Sequence, residues 1–414
     1  MDDRFRGNQG YDLKLVIKDI DYTSYLESCR IVTSLNIPYV YINIFMKVDT
    51  TDLLLDKIYG QDKIKLFIRL LEKDGNIKEE IKFELMTFKS SHHNSLSTMA
   101  ANASTNSGVY QNRLPFTIPS VPRDEFKGMT EFVNELYFNK SLKNIIEDLV
   151  GRYTKLKLEI DEEGLNDEII DQIIIPPMTL YKAIQYLDGT FGIYNGPVGI
   201  YAHDGILHIK NLSKNINKLP SLILYRLVTD WSEDELKEVL DKCTGSDQFF
   251  YTFNPIKYNY NANSKYAILS RNMKFIVKPR DTLFHVIEED LHNICKDNGL
   301  TTGKDDPYID TDPNSRTKYY HEHIGYEKTE SFMRSQISKS ISNLAVANVV
   351  LEKDLYINNF FNIGDSVKIN TKVIEEIDIA GIYILKSSLI TLGRIQHNWS
   401  NTTELELIRT SKTT

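Results

Sequence analysis

The segment Lys63-Ile64-Lys65-Leu66-Phe67-Ile68-Arg69-Leu70 places apolar side chains at 64, 66, 68 and 70 with mostly polar ones between them. A period of two reads as a strand with one face on a core and the other toward solvent or a partner. Val40-Tyr41-Ile42-Asn43-Ile44-Phe45 is β-branched and aromatic in the same way, and Asp74-Gly75-Asn76 supplies a hairpin turn. Residues 11–88 therefore read as strands. Residues 89–112 are small and polar and read as a long loop.

The period then changes. Ser141 caps a predicted helix with Leu142, Ile145, Ile146, Leu149 and Val150 on one face, closed by Gly151. Thr179 caps a second, carrying Leu180, Ala183, Ile184 and Leu187 and ending before Gly189. The capping box Ser232-x-x-Glu235 opens a third over Leu236, Val239 and Leu240. A fourth is expected from Asp281 to near Gly299 and a fifth from about Thr329 to Leu351. Asp204-Gly205 centres a hairpin, and Ser366–Val373, Ile382–Leu385 and Glu404–Ile408 read as strands again. Strands, then mixed elements, then strands fit segregated α+β domains better than alternating βαβ units. Gly60-Gln61-Asp62-Lys63-Ile64-Lys65-Leu66 echoes Gly364-Asp365-Ser366-Val367-Lys368-Ile369 with one gap, a hint of internal duplication.

With 414 residues the chain has room for two to four domains and for cores that need no metal or disulfide. A hydrophobic content of 41% excludes disorder over the whole length. The 49 basic and 57 acidic residues leave a net charge of −8, which disfavours nucleic-acid binding, so no DNA binding is expected at physiological salt. Three cysteines, Cys29, Cys243 and Cys295, lack CxxC spacing and fit a reducing cytoplasm. Neither a signal peptide nor an apolar run long enough to span a membrane is visible.

Motifs that suggest chemistry each fall short of it. Gly299-Leu300-Thr301-Thr302-Gly303-Lys304 is one residue too short for a phosphate loop, and Asp305 stands where a Ser or Thr would reach magnesium. His321-Glu322-His323 lacks a third ligand at recognisable spacing. Asp310-Thr311-Asp312-Pro313-Asn314 begins like a calcium loop, but Ser315 replaces the glycine and His321 the closing glutamate. His292 and Cys295 read as helix neighbours, and the pairs Glu288/Glu289 and Asp305/Asp306 as solvated acids. We expect no catalytic residue, no metal ligand, no cofactor site and no enzyme activity.

Several segments together carry a resemblance. The opening Leu13–Tyr22, the turn Ile58-Tyr59-Gly60-Gln61-Asp62-Lys63-Ile64, the central run from Met178 through Phe191-Gly192-Ile193-Tyr194 to Asp204-Gly205, and the closing segments Gly364–Val367, Gly381–Ile384 and Trp399–Thr410 resemble the baseplate hub proteins of contractile phage tails, relatives of the spike-base domains of type VI secretion systems. The resemblance implies an α+β fold with two tail-tube-like antiparallel β-barrels and inserted mixed α/β domains. Its expected layout is a first barrel at 1–125 including the 89–112 loop, a helix-plus-hairpin insertion at 126–218, the start of the second barrel at 219–280, a helical or loop insertion at 281–345, and closing strands of the second barrel at 346–414. It also implies a structural homotrimer in the virion tail baseplate, made in the host cytoplasm. Such a trimer joins a sixfold tail tube protein to a threefold central spike protein, with baseplate wedge proteins around it, no membrane contact and DNA passing through the lumen unbound. The acidic stretch Asp161-Glu162-Glu163 fits a non-adhesive channel. The competing readings are a tail-associated cell-wall hydrolase using a carboxylate pair and a generic α+β interaction module.

Overall fold

The computed structural model describes residues 10–35, 37–49, 63–71, 75–87, 113–194, 198–212, 220–227, 231–245, 248–260, 274–278, 285–288, 317–321, 345–351, 362–372, 379–395 and 398–409. The fold is mostly β-sheet with few helices.

An N-terminal lobe begins with β1 (Gly10–Ile17), β2 (Ile20–Asp21), β3 (Leu26–Ser34), β4 (Tyr41–Asp49), β5 (Ile64–Leu71), β6 (Ile77–Thr87) and β7 (Arg113–Pro122). Their order in the sheet is β2-β1-β5-β6-β7-β4-β3, antiparallel throughout. The predicted alternation of β5 is met: Ile64, Leu66, Ile68 and Leu70 are buried. They stand opposite Ile17, Leu15, Leu13 and Tyr11 of β1, so one register brings two apolar faces into the same core. Lys18 and Asp19, both at positive φ, make the tight turn into β2.

A central α/β lobe follows: α1 (Arg123–Thr130), β8 (Phe132–Ser141), α2 (Leu142–Tyr153), β9 (Lys157–Ile160), β10 (Ile169–Thr179), α3 (Leu180–Phe191), β11 (Val198–His203) and β12 (Ile206–Asn211). Helix α2 starts at the expected cap, where Ser141 Oγ accepts from Asn144 N–H, but runs past Gly151 to Tyr153. Helix α3 runs past Gly189 and stops at Gly192, whose φ of 71° ends the helix at no steric cost. Asp204 and Gly205, at φ 52° and 71°, form the β11–β12 hairpin, and β9 joins β12 in parallel.

The C-terminal lobe contains β13 (Leu222–Arg226), α4 (Glu233–Gly245), β14 (Phe249–Thr252) and β15 (Lys257–Tyr260). A separate small sheet holds β16 (Lys274–Lys278), β17 (His285–Glu288) and β18 (Thr317–His321). Four strands complete the chain: β19 (Ala345–Leu351), β20 (Ser366–Thr371), β21 (Gly381–Ile395) and β22 (Asn398–Arg409). The capping box is present: Ser232 N–H donates to Glu235 Oε2 at 3.1 Å and Glu235 N–H to Ser232 Oγ at 3.4 Å.

The expectation of an antiparallel second barrel over 219–280 and 346–414 is corrected here. Strand β13 pairs in parallel with both β14 and β20. For β14 the reason is α4, which carries the chain from the end of β13 back to the start of β14, as a parallel neighbour requires. The predicted helices at 281–299 and 329–351 are also corrected where they are described, since His285–Glu288 and Ala345–Leu351 are strands. In Ala345-Val346-Ala347-Asn348-Val349-Val350-Leu351 the buried residues are 347, 349 and 351, a period of two that a short apolar run hides. The rest of both segments, the 89–112 loop and the Gly60 turn lie outside the described residues.

The closing strands do more than finish one lobe. Residues 381–384 of β21 pair with β20, whereas 387–393 pair with β3 of the N-terminal lobe. A bulge between Leu385 and Ser387 separates the two halves. Before it Tyr383, Ile384 and Leu385 are all buried, and after it the buried positions alternate at Ser388, Ile390 and Leu392. The extra residue re-aims the strand, so Tyr383 and Leu385 enter the C-terminal core while Ile390 and Leu392 enter the N-terminal one. Strand β22 follows: Leu405 and Leu407 pack in the C-terminal core, Trp399 packs on the N-terminal core, and Asn401 Nδ2 donates to Tyr11 Oη at 3.2 Å.

Candidate interaction surface

Strands β8 and β10 form a two-stranded antiparallel ribbon on the central lobe. Its inner face buries Val133, Tyr137, Ile170, Ile173 and Ile175 against α2 and α3. Ile170 and Ile173 are three apart yet both buried, so the pleat reverses between them, opposite Asn139 at φ 48°. The outer face is apolar as well. Phe132 is 71% exposed, Ile169 68%, Ile174 60%, Phe138 56% and Leu136 49%, with Leu136 directly opposite Ile174. Side chains of this size leave on the order of 500 Å² of apolar surface, the scale at which a monomer's largest patch is commonly functional. Pro176 and Pro177 remove two backbone donors from β10 where its register with β8 shifts. That blunts the ribbon for strand addition, so its face rather than its edge is suited to a partner.

A polar clasp holds the ribbon on α2. Tyr137 Oη donates to Asp148 Oδ2 at 2.8 Å and accepts from Arg152 Nη2 at 2.7 Å, while Arg152 Nη1 donates to Glu135 Oε1 at 3.0 Å. Tyr153 Oη also donates to Glu135, and Arg152 also pairs with Asp148. Burial, and the acceptor Asp148 beside it, push the Tyr137 phenol well above its ordinary range, so it stays a proton donor.

Strand β11 joins the central lobe to both others. Ala202 N–H donates to the Pro38 carbonyl at 2.8 Å, and Tyr39 meets Phe126 edge to face at 5.2 Å. On the other side Tyr201 enters the C-terminal core and its hydroxyl donates to the Ile363 carbonyl at 3.1 Å. Gly364, at φ 93°, lies so near that a Cβ there would come within 3.0 Å of Leu212. His208 stacks on Tyr201 at 4.8 Å and brings Nδ1 to 3.1 Å from Glu159 Oε2, while Lys210 engages Glu159 Oε1. Burial pushes the Asp365 carboxyl up to about 6, with Lys210 opposing the shift, and burial holds the His208 imidazole low. The ribbon is therefore carried on a body fastened to both β lobes.

Sequence reasoning passed over the ribbon. Its signal is Phe132-Val133-Asn134-Glu135-Leu136-Tyr137-Phe138 and Ile169-Ile170-Asp171-Gln172-Ile173-Ile174-Ile175, where apolar residues occupy both parities of a strand. Among the described residues none of the weighed motifs is brought into a site. His321 ends β18 and Glu288 ends β17, whereas 289–316 and 322–323, with the rest of those motifs, lie outside the described residues. The acids at 161–163 serve local contacts: Asp161 Oδ2 accepts from Asn211 N–H at 3.0 Å, Glu162 pairs with Lys143 at 2.7 Å, and the Glu163 carbonyl accepts from Asn211 Nδ2 at 3.0 Å. Among the described residues no group of three or more His, Cys, Asp or Glu is placed to hold a metal, and no helix is long and apolar enough to cross a membrane.

The family of the bacteriophage PBS1 gene 109 protein matches residues 100–238, a span that contains the whole ribbon and its supporting helices. No curated protein sequence matches the chain. The tail protein from Neisseria meningitidis MC58 is 12% identical and superposes with a TM-score of 0.57, covering 97% of this chain and 97% of that one. The 43 kDa tail protein of prophage MuSo2 from Shewanella oneidensis is 12% identical, with a TM-score of 0.52 over 96% of this chain and 97% of that one. Over nearly its whole length the chain has the fold of these two tail proteins.

Proposed function

We propose that this chain is a structural, non-catalytic part of a phage tail: a baseplate hub that forms a ring between a sixfold tail tube and a threefold central spike. The observation that carries the reading is the full-length likeness in fold to two tail proteins, reinforced by the phage family match across the central lobe.

In this reading the two β lobes are two tail-tube-like barrels. The first is residues 1–125; the second begins at 219–280 and closes with 346–414; 126–218 and 281–345 are insertions. The β21–β22 hairpin belongs to both barrels, and the second is mixed rather than antiparallel. Two barrels per chain in a sixfold ring require three chains, so the assembly is a homotrimer. Its neighbours are the tube protein, the spike protein and the baseplate wedge proteins, and its place is the virion tail. The exposed ribbon offers such an assembly an apolar contact face of the kind that soluble chains rarely leave open.

Antibody labelling of purified virions tests the role. Label confined to the tail tip supports it. Label on the capsid, or absence of the chain from virions, overturns it.

A further inference from the structure

Away from the ribbon, a cleft of 170 Å³ opens where β5 begins, β6 ends and α1 starts, lined by Lys63, Ile64, Lys65, Glu84, Leu85 and Arg123. We infer that this cleft binds a single oxyanion group, a carboxylate or a phosphate, through Lys63, Lys65 and Arg123.

Charge carries the argument. The Lys63 ammonium and the Arg123 guanidinium make no hydrogen bond or ion pair among the described residues. Lys65 has only a long contact, 3.4 Å, to the exposed carboxylate of Asp19. Glu84, the one acid in the lining, is already engaged by Lys82 at 2.6 Å. Lys82 first, and then the fields of Lys65 and Arg123, hold its carboxyl below the usual range. Within the lining, Lys63, Lys65 and Arg123 against Glu84 leave two surplus positive charges at one concave spot of a chain whose net charge is −8. Arg123 is also the first residue of α1, whose Pro122 cap offers no side-chain acceptor, so the positive end of that helix lies at the same cleft. The first turn of α1 also carries two acids outside the lining, Asp124 and Glu125, the latter accepting from Gly205 N–H at 2.9 Å.

Size narrows the ligand. Pockets for drug-sized molecules run from about 300 Å³ upward, so this cleft suits one oxyanion group rather than a nucleotide. Its guanidinium and two ammonium groups provide charge-assisted donors for such a group. The oxyanion has two possible sources, an acidic side chain of a partner protein or a free phosphate ion.

Calorimetric titration of the full chain at low ionic strength separates them, with inorganic phosphate in one arm and a hexaglutamate peptide in the other. Saturable binding in either arm is expected, and the stronger arm identifies the source. The double variant Lys63→Ala/Arg123→Ala should weaken it roughly tenfold, as loss of charged hydrogen bonds does. Lys237→Ala, on the exposed side of α4, should leave it unchanged. Glu84→Gln removes the acid from the lining and should tighten binding, a gain that misfolding cannot imitate. Absence of saturable binding in both arms, an equal loss in Lys237→Ala, or no tightening in Glu84→Gln would overturn the inference.

Discussion

The two β lobes share a hairpin yet are built differently. Strands β1 to β7 pair only antiparallel, and the β1–β2 and β5–β6 pairs are hairpins. The C-terminal lobe sends its chain over α4 to place β14 parallel to β13, and β20 is parallel to β13 as well. The echo noted in the sequence falls on this contrast. Strands β5 and β20 each pair antiparallel with the strand that follows them. However, β5 meets the opening strand β1 antiparallel, and β20 meets its counterpart β13 parallel. Similar alternation thus accompanies similar local pairing, while the direction of the strand alongside differs. The lobes are also not separable at the chain level, because β21 leaves one core and enters the other at the Leu385–Ser387 bulge.

Three variants probe that contrast, in order of expected effect. Leu392→Asp places a charge in the N-terminal core from a strand near the C-terminus. It should cost on the order of 4 kcal/mol or more. Hydrogen exchange should then show loss of protection in β1 and β5 before β13 and β20. Equal loss in both lobes would mean that they unfold as one unit.

The next effect is pH-dependent and lies on the C-terminal side of the joint. The folded-state Asp365 carboxyl is raised by burial to about 6, above the ordinary carboxylate range. Its contribution is therefore fully present below about pH 4 and lost as pH rises through about 6. Lys210 and Tyr201 face it from the central lobe. His208, held low by burial, acts in the opposite sense, losing stability as pH falls below its usual 6.5. The difference between wild type and Asp365→Asn isolates the carboxyl. That difference should favour the variant by on the order of 2 kcal/mol at pH 7.5 relative to pH 4. A constant difference in thermal unfolding across that range would remove Asp365 as a titrating group of the joint.

The smallest change in stability is expected at the ribbon, which belongs to neither β lobe. Leu136→Asp with Ile174→Asp alters only exposed side chains and should shift stability by no more than about 0.5 kcal/mol per site. The same pair should abolish incorporation into tails if the ribbon is a contact face. Unchanged incorporation would assign the ribbon no role in assembly.

Alternation made β5 legible, capping residues made α2, α3 and α4 legible, and Asp204-Gly205 made the β11–β12 hairpin legible, because each is a local signal. Parallel pairing around β13 was not, since direction depends on a crossover rather than on the strand's own residues. Nor was β19: three valines and two alanines satisfy a short apolar run of either type. The hand-over at the β21 bulge needs one added residue around Lys386, which periodicity alone reads as noise. The ribbon escaped because Ile173-Ile174-Ile175 looks fully buried in sequence, and only the packing shows that Ile174 points outward.

The proposed assembly is a trimeric ring built from two tube-like barrels per chain. Cryo-electron microscopy of the virion tail tip tests it most directly. Three copies in one ring, each contributing both β lobes beneath the tube, is the result this account predicts. Six copies, or one, would contradict it, and a trimer with a single tube-like barrel per chain would keep the oligomer while rejecting the duplication.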